Sequence, residues 1–260
     1  MADFDLVSIK ALGQANDGSY LIDINNVIYE IEDNAKLVIK ENAYVRLLDR
    51  TIGKNIEVEV KSGATLEYYI VNSTSSHNFK VYGELRVMEV SLNETKEDFI
   101  VSLEKQNAVC DIKNLSILDG SKSYYNQKII HNDKETFSNI SNIGIAINGA
   151  SITFDTTGKI EKGKAKSKCA QLSRGIVMDN DSVIVAKPIL LIDEFDCFAN
   201  HGASIGKMSD EDLFYLMSRG LTKNEAFLLI LGGIINPYIS SIPREEIRND
   251  LFAKISDRTR

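Results

Sequence analysis

Tryptophan is absent from this 260-residue chain, and proline, cysteine and histidine occur only three times each. The cysteines, Cys110, Cys169 and Cys197, are odd in number, widely spaced and without a C-x-x-C pair. That pattern argues against a self-contained structural zinc site and against a disulfide framework, so a reducing cytoplasm is expected. No apolar run approaches the ~20 residues of a membrane-spanning helix. The Met1 end, with Asp3 and Asp5, lacks the basic, apolar and small-residue order of a secretory leader. P-loop, G-x-S-x-G and H-E-x-x-H patterns are all missing, which leaves hydrolase chemistry without visible apparatus. A net charge of −7 disfavours nucleic acid and anionic membranes as partners. The basic stretch 159–168 reads as a solvated loop.

What the chain has in quantity is alternation. From Tyr20 to about Leu118, short runs place an apolar residue at every second position, as in Leu37 and Ile39, Val45 and Leu47, or Leu66 and Tyr68. Period two means strands with one buried face. Each run opens on a small or turn-forming pair: Asn34-Ala35, Asn42-Ala43, Gly63-Ala64, Asn107-Ala108 and, further on, Gly149-Ala150 before Ile152 and Phe154. Ala43 and Ala64 stand 21 apart, Ala64 and Ala108 stand 44 apart, and Ala108 and Ala150 stand 42 apart. A repeat near 21, weakly marked again at Tyr82-Gly83, suggests stacked coils of a solenoid. Little before residue 205 reads as helix, so the solenoid would be a β-helix, with an antiparallel sandwich of regular turns as the alternative. On this reading Val45, Leu66 and Ile152 occupy equivalent inward positions. Polar stretches at 119–141 and 156–163 interrupt the rhythm, and His77, among serines and Asn78, reads as a solvated turn residue.

The last quarter changes character. An apolar strand at 187–192 leads through Phe195-Asp196-Cys197-Phe198 to His201-Gly202-Ala203-Ser204-Ile205-Gly206. Helix starts follow at Ser209, with Asp212 in the place of the usual Glu or Gln, and at Thr222 with Glu225, a full capping box. A third helix, Arg244 to about Ser256, sets Ile247, Leu251 and Ile255 on one face. Phe214, Tyr215 and Leu216 cannot all face inward, because successive side chains on a helix are about 100° apart. Some of them are therefore available to a partner, with Arg219 nearby as a carboxylate clamp. Alternation also places Cys197, Ala199 and His201 on one face, where a thiol and an imidazole could serve a soft metal. The plainer alternative is that Cys197 packs as a small apolar group and His201 bonds a carbonyl. The carboxylate pairs Asp193-Glu194 and Asp210-Glu211 raise the possibility of glycosidase-type chemistry. The first pair points to opposite faces of an extended chain, and the second reads as first-turn helix charge.

The run His201-Gly202-Ala203-Ser204-Ile205-Gly206, then residues 213–221 (Leu-Phe-Tyr-Leu-Met-Ser-Arg-Gly-Leu) and Glu225-Ala226, resembles the core signature of the SufB/SufD iron–sulfur cluster assembly proteins. Gln171-Leu172-Ser173-Arg174, Lys187-Pro188 and His131 with Thr136-Phe137-Ser138-Asn139 fit the same family, so the resemblance covers about residues 120–255. Gly202 after the histidine matches the SufD-like form. The resemblance implies a right-handed parallel β-helix (residues 1–204, with 1–19 as a stub of the usual N-terminal helical domain) and a C-terminal helical lobe (205–260). It implies a non-catalytic scaffold in the cytoplasm that pairs with a SufB-like subunit near His201, or with a second copy of itself. It further implies docking of the SufC ATPase on Phe214, Tyr215, Leu216 and Arg219. The cargo would be iron or an iron–sulfur cluster shared with the partner at His201, with Cys197 as a weaker ligand and a reduced flavin possible in the complex. His131 is expected to be structural. The family often has Cys two positions before the histidine, where this chain has Ala199. A β-helix carbohydrate enzyme and a metal-free homodimeric scaffold stand as alternatives.

Overall fold

A strand with one apolar face has nothing of its own to bury that face against, so neighbouring strands must stack to share a core. The computed structural model describes residues 4–23 and 26–258, and residues 1–3 of the Met1 end weighed for a leader lie outside them. Among the described residues are seventeen strands in two parallel sheets. The nine-stranded sheet runs β1 (Asp5–Ser8), β3 (Val27–Ile31), β5 (Tyr44–Asp49), β7 (Thr65–Val71), β9 (Glu84–Ser91), β11 (Val109–Asp119), β13 (Phe137–Ile147), β15 (Lys168–Val177) and β17 (Phe198–Gly206). The eight-stranded sheet runs β2 (Tyr20–Ile22), β4 (Ala35–Ile39), β6 (Asn55–Val60), β8 (Ser76–Val81), β10 (Lys96–Leu103), β12 (Lys122–His131), β14 (Ser151–Ile160) and β16 (Val183–Ile192). Consecutive strands alternate between the sheets, and each pairs with the strand two along. That is a parallel β-helix.

Parallel register stacks like positions into columns. Val45 lies against Leu66, and Leu66 against Leu85. Leu47, Tyr68, Val87, Ile112 and Ile140 form the next column, all buried. Coil starts at Tyr44, Thr65, Glu84, Val109, Phe137, Lys168 and Phe198 stand 21, 19, 25, 28, 31 and 30 residues apart. The repeat near 21 therefore holds only for the early coils. Ala150 opens β14 in the opposite sheet from Ala108, and Ile152 stacks between Ser123 and Ile184 rather than above Leu66. Its 42-residue distance from Ala108 is a coincidence of lengthening coils.

Two further expectations are corrected. Residues 119–141 do not interrupt the coils; they supply β12 and the start of β13, with Ser123, Gln127 and His131 buried. Burial alternates there while hydropathy does not, because Ser123, Gln127 and His131 are polar inward residues among the apolar Tyr125 and Ile129. Residues 156–163 likewise continue β14 as far as Ile160 and turn only afterwards.

One end of the coil stack is covered by a 3-10 turn (Ile9–Leu12), whose Ile9 is buried in the core with Tyr20 and Ile22. Three helices follow β17: α1 (Asp210–Ser218), α2 (Lys223–Ile239) and α3 (Glu245–Arg258). Ser209 accepts a hydrogen bond from the Asp212 backbone, and Thr222 with Glu225 forms the complete capping box. Leu231, Ile235 and Ile239 of α2, and Ile247, Leu251 and Ile255 of α3, share one cluster with Leu48, Val90, Leu115, Ile117 and Ile145. The outer face of the nine-stranded sheet is thus covered by helix toward the C-terminal ends of its strands. Arg258 fastens the end of α3 to the carbonyls of Leu92 and Ile117, the latter at 3.0 Å.

Placing a carboxylate in these columns leaves it buried without a partner. Val45→Asp and Leu66→Asp should each lower stability by more than ~4 kcal/mol, read as loss of the urea unfolding transition or a large drop in its midpoint. Unchanged midpoints would contradict the stacking.

Candidate functional site

The other end of the solenoid is open. β16 and β17 are the last strands of their sheets, each paired on one edge only. β17 sets Ala199 over Cys169, His201 over Gln171 and Ala203 over Ser173. β16 sets Ala186, Pro188, Leu190 and Ile192 over Phe154, Thr156, Gly158 and Ile160. These inward positions are buried one coil earlier; here Ala199 and the four β16 residues are half-buried, and His201 is exposed. Pro188 lacks an N–H and is tolerated because its strand is at an edge. The rim carries large apolar groups in water: Leu172, Ile189, Leu191, Phe198, Ile205 and Phe195, the last 96% exposed. So much exposed apolar surface around unpaired strand edges marks an interaction surface.

The His201 ring makes no hydrogen bond to the described residues, which leaves its nitrogen lone pair available. No group of three or more His, Cys, Asp or Glu among the described residues is placed to hold a metal ion. Cys197 precedes β17, and its thiol donates to the Glu194 carbonyl at 3.1 Å. Burial, then the charges of Glu194 and Asp196, raise its pKa, so it is a thiol rather than a thiolate at neutral pH. Glu194 itself accepts from the backbone N–H of Gly163 at 2.7 Å and of Asp196 at 3.0 Å, which makes it a turn-holding residue. Asp210 lies in the first turn of α1. Neither pair has the opposed geometry that glycoside cleavage needs. His131 is buried with Nδ1 2.7 Å from the Thr136 hydroxyl and Nε2 2.9 Å from that of Ser138. Burial depresses its pKa to about 4, so it stays neutral. For a flavin, the groove between Phe137, Lys166, Lys168 and Phe198 is an open surface rather than a slot, and no flavin step is assigned to it.

On α1, Phe214 and Tyr215 are exposed and Leu216 is half-buried, while Leu213 carries the buried face. The Arg219 guanidinium lies 5.1 Å from the Tyr215 ring centre. Leu229 of α2 adds to the exposed apolar surface of this region.

Comparison with known proteins gives the family. The family profile described as "SUF system FeS cluster assembly, SufBD core domain" matches residues 13–234. The chain belongs to the SufB/SufD family. Iron-sulfur cluster assembly protein SufD of Bacillus subtilis (strain 168) is 29% identical over 253 residues, covering 91% of this chain and 57% of that protein. SufB of the same organism is 27% identical over 206 residues, 73% of this chain and 43% of that protein. SufD of Plasmodium berghei (strain Anka) is 24% identical over 257 residues, 90% of this chain and 19% of that protein. This SufD-like chain thus spans about half, or less, of the relatives it matches.

The SufD-like chain also holds a polar network that the sequence reading missed. His77 is no turn residue: it faces inward from β8, 2% exposed, in phase with Phe79 and Val81. Its Nε2 lies 2.7 Å from Asp49 and its Nδ1 3.1 Å from Glu97. Tyr68 and Thr51 also donate to Asp49, at 2.8 and 2.6 Å. The two carboxylates outweigh burial and raise the His77 pKa to about 9, so the ring is an imidazolium. Glu89 faces Glu97, and burial with that neighbouring charge raises its pKa well above the usual carboxylate value, so it holds a proton. Beyond it lie Asn114, Gln127 and Asn142, all buried. Seven side-chain atoms of this network have no hydrogen-bond partner among the described residues: His77 Nδ1, Glu89 Oε1, Glu97 Oε2, both amide atoms of Asn114, Gln127 Nε2 and Asn142 Oδ1. The His77 contact with Glu97 is an ion pair at 3.1 Å. At roughly 1–3 kcal/mol for each bare group, the set would rival the whole net stability of a domain. The available signal was phase: each of these residues sits at an inward position of its strand.

A histidine pKa raised on folding adds stability that is complete below the unfolded value of 6.5 and is lost as pH climbs through about 9. Glu89 acts in the same direction, because folding raises its pKa from 4.5 and rising pH then works against the proton it keeps. Asp49, held low mainly by His77 against the cost of burial, acts oppositely and only in acid. The unfolding free energy from urea titrations should therefore fall from pH 6.5 to 9, by up to about 1.4 kcal/mol per pH unit for each proton involved. His77→Gln should be less stable at pH 6.5 and markedly flatter across that window. Equal slopes in both proteins would overturn the imidazolium assignment.

Proposed function

We propose that this chain is a non-catalytic, SufD-like scaffold of the SUF iron–sulfur cluster assembly machinery in the cytoplasm. The observation that carries the proposal is the open solenoid end, where His201 is exposed amid unpaired strand edges and an apolar rim. A SufB-like subunit continues the two sheets across β16 and β17 and supplies the ligands that this end lacks. Iron or the nascent cluster is cargo held between the two chains, with the His201 imidazole as this chain's contribution. Gly202 beside it has no side chain to obstruct the partner. Ala199 and the protonated Cys197 leave the thiolates to the partner. Any reduced flavin belongs to the complex, and the ATPase activity to SufC.

The same unpaired edges suit a second copy of this chain, and a metal-free homodimer is the reading that the first experiment separates. In a co-expressed complex, His201→Ala should leave assembly and melting temperature unchanged while bound iron falls several-fold. A structural histidine gives the reverse order, with weakened pairing first and metal loss only as its consequence. Wild-type iron content in an intact His201→Ala complex would end the metal reading and favour the plain scaffold.

SufC docks on the exposed face of α1, where Phe214 and Tyr215 supply apolar area and Arg219 a charge. Because these side chains are in water, Phe214→Ala with Tyr215→Ala should leave the melting temperature alone. SufC affinity should fall roughly tenfold or more, which corresponds to at least about 1.4 kcal/mol. Full affinity in the double variant would move the docking site elsewhere.

A further inference from the structure

The buried polar network does not stop at Glu89. In the nine-stranded sheet Glu89 stacks against Asn114, Asn114 against Asn142, and Asn142 against Ser173 in the last closed coil. Asn142 donates across the core to Gln127 at 2.9 Å. Gln127 stacks beneath Thr156, whose hydroxyl reaches Gln171 at 3.4 Å, and Gln171 stacks beneath His201. Strands in such a ladder are about 4.8 Å apart, and between the direct contacts along this line the unpartnered polar atoms remain to be satisfied, which one small bridging molecule can do. The line therefore runs from an acid pair deep in the solenoid to the open mouth.

The unpartnered atoms along it are of both kinds. The Glu97 carboxylate oxygen and the amide oxygens of Asn114 and Asn142 need donors, the protonated Glu89 carboxyl can give or take a bond, and amide nitrogens of Asn114 and Gln127 need acceptors. A cation would leave the nitrogens unsatisfied, and an anion would be repelled by Glu97. Water both donates and accepts, carries no charge and is small, and buried water typically makes about three such bonds.

We propose that the solenoid interior between Glu89 and Gln171 binds a file of ordered water, and that this file carries protons between the Glu89–Glu97 pair and the open end beneath His201. Where it serves cluster assembly, the inference rests on the function proposed above. A thiol that ligates a metal loses its proton. That proton passes to the nearest water, each water hands on one of its own, and one proton arrives on the Glu97 carboxylate. Bonds to hydrogen break and form in equal number, and no electron moves.

The test needs no metal, so its failure leaves the scaffold reading untouched. Infrared spectra of the full chain at pH 7 should show a buried protonated carboxyl band, assigned by its loss in Glu89→Gln. On transfer to heavy water the band should shift roughly a hundredfold sooner than the β11 backbone amides exchange, since those require the structure to open. Gln127→Leu or Asn142→Leu, which plug the file, should slow the shift roughly tenfold relative to the amides. Thr156→Val, nearly isosteric, should slow it in the same direction if the leucine variants do not fold. Absence of the band, exchange only in step with the amides, or an unchanged rate in the folded variants would overturn the proposal.

Discussion

Every inward side chain of a parallel solenoid lies on its counterpart in the coils before and after, and the rest of this structure follows from that constraint. An apolar column such as Leu47, Tyr68, Val87, Ile112 and Ile140 can continue indefinitely without a polar partner. A polar residue cannot, because its hydrogen-bonding groups look along the axis or across the core for satisfaction. Asp49 is answered by His77, His77 by Glu97, and Glu97 by protonated Glu89. Once begun, the polar file runs on through amides and hydroxyls until the coils end. The same stacking makes the final coil special, since its inward face has a neighbour on one side only.

Much of the architecture was legible in the sequence because strand alternation and turn residues are local properties. Asn42 and Asn107 adopt positive φ, as the bends that they mark require. The coil length was legible only where coils are short. Later strands reach ten or eleven residues, so the spacing drifts, and Ala150 mimics a repeat position while lying in the opposite sheet. Stretch 119–141 misled for a chemical reason: hydropathy was read as a proxy for burial, and in β12 Ser123, Gln127 and His131 face inward. His77 misled for the same reason.

The open end could not be read from alternation at all. The pattern of Ala199, His201 and Ala203 is that of any inward face, and only the absence of a further coil turns it into a surface. His201 was singled out by resemblance, and the fold explains what the position offers: a ring above Gln171 with nothing stacked on it. The helices act at a distance from that end. α2 and α3 bury the outer face of the nine-stranded sheet toward the ends of its strands, while α1 turns Phe214 and Tyr215 to water. One rigid rack thus presents two separate surfaces, one at its end and one on its helical flank.

The economy of three histidines allows a direct test of the central claim that His201 touches the cargo. His77 is buried between Asp49 and Glu97, and His131 between the Thr136 and Ser138 hydroxyls, so His201 is the imidazole exposed to meet a metal. The measurement is pulsed electron paramagnetic resonance on the cluster-loaded, reduced complex, with 15N-histidine in this chain alone. The account predicts a hyperfine coupling from one imidazole nitrogen bound to iron. A loaded complex with no 15N coupling would contradict it.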